Sequence, residues 1–286
     1  MTKRHTAELI LFVATFIWGG TFVIAKWGLE DISPLLLTAL RFSAATFLFF
    51  ILFSRRILQM DRRVFYKGNV LGLLLFLGFA TQTVGLQYTT ASKSAFITGM
   101  MVVFTPFFQL LIENRRPHRA SVVGVVIVSV GLWLLTAPSG GGFNLGDGLT
   151  LVCAIIFGLY IVAMDIISKQ HDIIHLTFLQ TLSCAALSWI GVGMIEVPRF
   201  NPTPQALWAL GYLTLLATVV TTYVQTRFQR DTTPTRAAII YTIEPVWASL
   251  LGYALLQESL GVLGILGGGL IIAGILVSEA SPSNDH

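Results

Sequence analysis

The sequence predicts an all-α integral membrane protein of ten transmembrane helices, arranged as two inverted five-helix repeats. Three observations carry that prediction. The chain is apolar almost throughout, its apolar runs have membrane length, and its first half returns as its second at a nearly constant offset. Of 286 residues, 55% are hydrophobic and only 11% charged, with a mean hydropathy of +0.77. A water-soluble chain of this length needs far more charge to cover its surface.

The apolar runs are roughly 18–22 residues long, enough to cross a hydrocarbon core of about 30 Å. The first, 8–28, reads straight into Lys26 with no Ala-x-Ala-type exit, so it reads as a span rather than a cleaved leader. The second, 34–53, starts at Pro34 and carries Arg41. The third, 68–88, has Gly78, Gln82 and Gly85 at i, i+4, i+7. The fourth, 94–113, holds Phe104-Thr105-Pro106, and the fifth, 120–137, holds Gly124 and Gly131. The sixth, 148–167, contains Phe157-Gly158 and Tyr160, and the seventh, 176–196, contains Gln180. Thr218, Thr221, Thr222 and Gln225 stripe the eighth, 207–228. The ninth, 237–257, carries Tyr241 and Ile243-Glu244-Pro245, and the tenth, 260–278, carries Gly267 and Gly274. Linkers are short, so the spans form one membrane domain.

Shifting the chain by 139 positions lays Trp18-Gly19 on Phe157-Gly158, Leu71-Gly72 on Leu210-Gly211, Arg41 on Gln180 and Pro106 on Pro245. Toward the ends the offset becomes 143, where Gly124 and Gly131 meet Gly267 and Gly274. This divides the chain into repeats 1–138 and 139–286. Duplicated hydrophobic segments are a common architecture of secondary transporters.

Charge sets the orientation. With the N-terminus inside, alternate loops collect fourteen of the 18 basic residues: Lys3, Arg4, Arg55, Arg56, Arg62, Arg63, Lys67, Arg115, Arg116, Arg119, Lys169, Arg227, Arg230 and Arg236. The opposite side holds Lys26, Lys93 and Arg199, and Arg41 lies within a span. The positive-inside bias places both termini in the cytoplasm. Five spans per repeat is an odd number, so the second repeat enters the membrane inverted. The net charge of +4 follows the loops of one face and does not point to nucleic acid. Cys153 and Cys184 fall inside spans and read as buried free thiols.

Polar groups inside spans are the site candidates. Glu244 sits near mid-span, where a carboxylate costs roughly 2–4 kcal/mol to insert and must face protein or water. It has three readings: a proton carrier, a binder of a cationic group, or a structural residue. The matched position is Thr105, so the acid is not needed in both halves, which favours the structural reading. Arg41 is a candidate for charge recognition; the alternative, favoured because snorkelling is inexpensive at its depth, is a tie between helices. Pro106 and Pro245 each remove a backbone donor and are candidates for paired kinks or gates. Trp18 and Phe22 share one face of the first span, Phe157 and Tyr160 belong to the sixth, and Tyr241 and Glu244 share a face of the ninth. With Gln82, Met100, Phe104 and Thr222 they outline a cavity of aromatic walls and few charges. Ordinary packing explains each stripe separately. Together they suit a small amphipathic or zwitterionic solute better than a polyanion, which calls for a basic cluster.

At these residues the chain resembles the drug/metabolite transporter superfamily, in particular its ten-helix EamA-type members. The features are Phe16-Ile17-Trp18-Gly19-Gly20, Ser33-Pro34 with Arg41-Phe42, Thr89-Thr90-Ala91-Ser92, Gly146-Asp147, Glu244-Pro245-Val246, Gln257-Glu258-Ser259, and Gly267-Gly268-Gly269 with Gly274. The resemblance covers roughly residues 7–278. It implies two inverted repeats around a cavity lined by the first, third, fourth, sixth, eighth and ninth spans. It also implies export of amino acids or related metabolites across the cell membrane, without ATP. One departure is Ile112-Glu113-Asn114-Arg115-Arg116-Pro117, where the fourth span ends earlier than the ninth.

The sequence expectation is therefore a multi-pass transporter of the inner or plasma membrane, whose partners are a small-molecule substrate and the bilayer. Proton coupling is one candidate drive. No metal or cofactor is expected. A passive channel or facilitator is the alternative of the same fold. An intramembrane enzyme would need a convergent catalytic set, and the chain carries no HExxH, GxSxG or Walker loop. A purely structural scaffold leaves the matched prolines unexplained.

Overall fold

A computed structural model describes residues 3–114, 116–135, 143–256 and 262–279. The Gln257-Glu258-Ser259 motif, Arg115 and the loop positions 139–142 lie outside the described residues. The described chain is helical nearly throughout. Eight segments are long and apolar enough to cross a membrane, and two shorter apolar helices complete ten.

Three spans are single helices at the start: α1 (Lys3–Asp31), α2 (Pro34–Ile57) and α3 (Arg62–Leu86). The fourth is broken into α4 (Ala91–Gly99) and α5 (Met101–Glu113), and the fifth is α6 (Arg119–Leu135). The sixth and seventh are α7 (Leu145–Ser168) and α8 (Ile173–Ile195). The eighth is composite: α9 (Pro204–Thr214), a π-helical turn (Leu215–Val220), α10 (Thr221–Phe228) and a 3₁₀ turn (Gln229–Asp231). The ninth is again broken, into α11 (Pro234–Tyr241) and α12 (Glu244–Leu256), and the tenth is α13 (Val262–Glu279). The helices overrun the apolar runs at several ends because hydropathy marks only the stretch that must avoid water. Caps mark the true ends. Asp61, Thr90, Asp172, Thr203 and Thr233 each accept from a first-turn amide, and Asn144 and Asp147 form a reciprocal capping box on α7.

Helix pairing repeats across the two halves. The first span packs along the eighth and ninth, and the sixth packs along the third and fourth. The second packs on the seventh and the fifth on the tenth, each pair being the two copies of one element. The duplicated glycines sit at these crossings. A Cβ on Gly19 would collide with Trp247 and the Glu244 carbonyl. Its copy Gly158 would meet Phe104 Cβ at 2.9 Å and Thr105 N at 3.2 Å. Gly124 and Gly131 lie against the carbonyls of Gly274 and Gly267, each 2.8 Å from a Cβ built there. Small residues let backbones approach where helices must touch in lipid.

The two prolines are placed differently. Pro245 lies in the first turn of α12, immediately after the break at Thr242–Ile243, where proline needs no helical donor. Pro106 lies inside α5, six residues beyond the break at Met100. One further tie crosses the repeats. Glu196 accepts from the amides of Leu35 and Leu36 and the Ser33 hydroxyl, all at 2.9 Å, and so caps the start of α2.

Candidate functional site

A cavity lies at the meeting of the two repeats, with a free volume of about 60 Å³, room for a few waters. Six spans named by the resemblance reach it, and the second joins them through Arg41. From the first repeat come Trp18 and Thr21, Arg41, Leu75, Phe79 and Gln82, Thr98 and Met101. The second repeat supplies Phe157, Tyr160 and Ile161, Ala217, Thr222 and Gln225, Tyr241 and Glu244.

The walls are aromatic and held edge to face. Trp18 and Tyr241 meet at 5.2 Å and 90°, joining the first span to the ninth, and Phe79 and Phe157 meet at 5.4 Å and 74°, joining the third to the sixth. Behind them runs a hydrogen-bonded polar layer. Tyr160 donates to Gln180 Oε1 (2.7 Å), and Gln180 donates to Thr226 (2.9 Å). Tyr241 and Gln225 both donate to Gln229 Oε1 at 3.1 Å, while Gln229 donates to the Ile161 carbonyl. Gln82 donates to Thr98 at 3.1 Å. The amides and phenols are thereby fixed in direction, which suits a selective wall.

Two ionisable groups reach the cavity. Arg41 is 4% exposed, its Nε donates to Thr218 Oγ1 (3.0 Å) and its Nη2 to the Ala217 carbonyl (3.3 Å). The guanidinium lies 4.6 Å from the Phe79 ring centre and 5.1 Å from that of Phe42. The π-helical turn builds this seat. Thr218 reaches back five residues to the Leu213 carbonyl, the reach such a turn supplies, and the Ala217 carbonyl turns toward Arg41. Glu244 opens α12, is 8% exposed, and makes no hydrogen bond or ion pair with any described residue. No carboxylate among the described residues pairs with Arg41. Arg41 is therefore bound by neutral groups.

Of the residues singled out from the sequence, Trp18, Arg41, Gln82, Phe157, Tyr160, Thr222, Gln225, Tyr241 and Glu244 line the cavity. Phe22 does not. It packs with Val23, Ala91, Ala95 and Ala248. Phe104 lies against Gly158, and Met100 forms the break between α4 and α5, whose change of register brings Met101 to the wall instead. Pro106 and Pro245 are near the breaks but not on the wall. Sequence reading missed Thr21, Leu75, Phe79, Thr98, Met101, Ile161 and Ala217. Helical spacing contained a signal for some: Thr21 follows Trp18 by three, and Phe79 and Leu75 precede Gln82 by three and seven. Gly78 and Gly85, read with Gln82 as one stripe, are helix contacts, against the Phe157 ring and the Gly146 carbonyl. No group of three or more metal-ligating side chains occurs among the described residues.

The model of the EamA-like transporter family matches residues 5–137 and 144–279. An uncharacterized transporter of Archaeoglobus fulgidus is 33% identical over 275 residues, 96% of this chain and 86% of that protein. The uncharacterized transporter YoaV of Bacillus subtilis is 29% identical, covering 92% and 93%. A protein of Chlamydia muridarum named as an S-adenosylmethionine/S-adenosylhomocysteine transporter is 23% identical, covering 88% and 85%. A protein of known crystal structure, 21% identical, shares the fold with a TM-score of 0.79 over 96% of each chain.

Proposed function

The chain belongs to the EamA-like transporter family, and on that premise we propose that it is a secondary transporter exporting small zwitterionic metabolites, such as amino acids, through its central cavity by alternating access. One observation carries the substrate class. A base, Arg41, and an acid, Glu244, reach the same cavity and do not pair with each other. A carboxylate in transit meets the guanidinium, an ammonium meets the carboxylate, and the aromatic walls take the side chain. A polyanion would meet only one base. A buried charge without a partner is costly, so a ligand that supplies both counter-charges binds with advantage. The named cargoes of the Chlamydia relative carry an α-amino-acid head of this kind.

The fourteen-to-three division of basic residues supports a cell-membrane protein with both termini in the cytoplasm. The repeats 1–138 and 139–286 act as the two moving parts of one membrane domain. A proton gradient is the candidate drive.

Cells expressing the protein are screened for protection against toxic amino acids and analogues, followed by flux in proteoliposomes. Protection matched by saturable flux is the expected result. Flux that stays linear in solute concentration would favour a passive facilitator, and absence of flux for every zwitterion in folded protein would remove the substrate class.

A further inference from the structure

Two ion-pair clusters, one at each end of the cavity, are copies of each other. At one end Asp147, fully buried near the start of α7, accepts the Thr89 hydroxyl at 2.8 Å and the Lys93 ammonium at 2.6 Å. At the other end Glu8, buried near the start of α1, accepts the Thr232 hydroxyl at 2.8 Å and pairs with Arg236 at 3.5 Å. Glu8 and Asp147 are 139 residues apart, and Thr89 with Thr232, like Lys93 with Arg236, are 143 apart, the two offsets that relate the repeats. Each cluster joins one repeat to the other. Both bases occupy the same helical position, three residues after a capping threonine, Thr90 or Thr233.

Their placement points to motion. Each cluster grips the outer end of a short half-helix, α4 or α11, whose inner end is the break at Met100 or Thr242–Ile243. The cavity residues Met101 and Glu244 lie just beyond those breaks. A half-helix held at one end and broken at the other is built to swing. Both clusters are engaged together here.

We propose that Thr89–Lys93–Asp147 and Glu8–Thr232–Arg236 are the two alternating latches of the transporter, each releasing its half-helix while the other holds. This rests on the alternating-access reading but not on the substrate. Charges paired inside a latch are each exposed to water when it opens, so the two closed states are balanced rather than locked. The duplicated chemistry keeps the outward-open and inward-open states near each other in energy. The charge bias places the Asp147 latch on the outer face and the Glu8 latch on the cytoplasmic face.

The test uses the full chain with Cys153→Ala, Cys184→Ala and a reporter Thr222→Cys on the cavity wall, probed with a membrane-impermeant maleimide in right-side-out and inside-out vesicles. Asp147→Asn should speed labelling from outside and slow it from inside by about fivefold or more, the lower range of conformational couplings. Glu8→Gln should do the reverse. Thr89→Ala and Thr232→Ala, which keep every charge, should shift labelling in the same directions by less. Static ties would lower thermal stability with no preference for side. Substitutions that change both sides equally, or neither, in protein that remains monodisperse would overturn the latches. A parent reporter that labels from neither side would overturn alternating access with them, whereas side-specific shifts without amino-acid flux would leave the latches standing and remove only the substrate.

Discussion

Arg41 and Glu244 reach one cavity as a base and an acid that do not pair, one contributed by each repeat. Arg41 is seated by Thr218, the Ala217 carbonyl and two phenylalanine rings, and Glu244 by the broken start of α12. Both positions follow from backbone irregularities, a π-helical turn and a helix break. Irregular backbone at membrane depth is tolerated where it lines a cavity.

Arg41→Lys keeps the charge but loses the planar contact with Phe79 and the Nε bond to Thr218. It should raise KM for carboxylate-bearing solutes about tenfold, equivalent to about 1.4 kcal/mol, with less effect on their amides. Equal losses for acids and amides would assign Arg41 to helix tying alone.

Glu244→Gln keeps the shape and removes the charge. As the partner of a substrate ammonium, Glu244 should, when changed, weaken amine-bearing solutes while pH-gradient dependence persists. Initial rates at several external pH values separate the roles. Loss of pH dependence with intact exchange would make Glu244 the proton carrier instead.

Trp18→Ala removes the ring that meets Tyr241 edge to face. The cavity should widen and flux should shift toward bulkier side chains, with insertion unchanged. A substrate panel with unaltered ranking would return Trp18 to plain packing.

Gly19→Val forces a side chain into Trp247 and the Glu244 carbonyl, and Gly158→Val into Phe104. Each should destabilise the fold by about 1–3 kcal/mol, as overpacking does. Gly193, where a Cβ would meet nothing within 4 Å, is the control, and Gly193→Ala should be neutral in thermal unfolding. Similar losses at all three sites would mean that close approach is not what the duplicated glycines supply.

Reporter tags should place the C-terminus and the Arg55–Lys67 loop in the cytoplasm and the Ser139–Asp147 loop outside. A cytoplasmic report from the last would remove the inverted arrangement.

The ten spans and their inversion were legible because membrane length and loop charge are local properties of the sequence. Trp18, Tyr160, Thr222 and Tyr241 were legible as cavity candidates because helical spacing aligns each with another polar or aromatic residue. Phe22 shares that spacing yet is covered by Ala91, Ala95 and Ala248, since an ideal helical face says nothing about what packs on it. Met101 replaced Met100 because the break at that residue turns the register, and no proline marks the break. The seat of Arg41 required a π-helical turn, and the pairing of Glu8 with Arg236 spans 228 positions. Both depend on tertiary packing.

Counterflow in proteoliposomes tests the substrate assignment most directly. Vesicles loaded with an amino acid are offered the same labelled amino acid, its amide, or its N-acetyl derivative. The account predicts rapid exchange of the zwitterion and at least about tenfold slower exchange of either blocked form, because each leaves Arg41 or Glu244 without a counter-charge. Exchange of the amide or the N-acetyl form as fast as the free amino acid would contradict it.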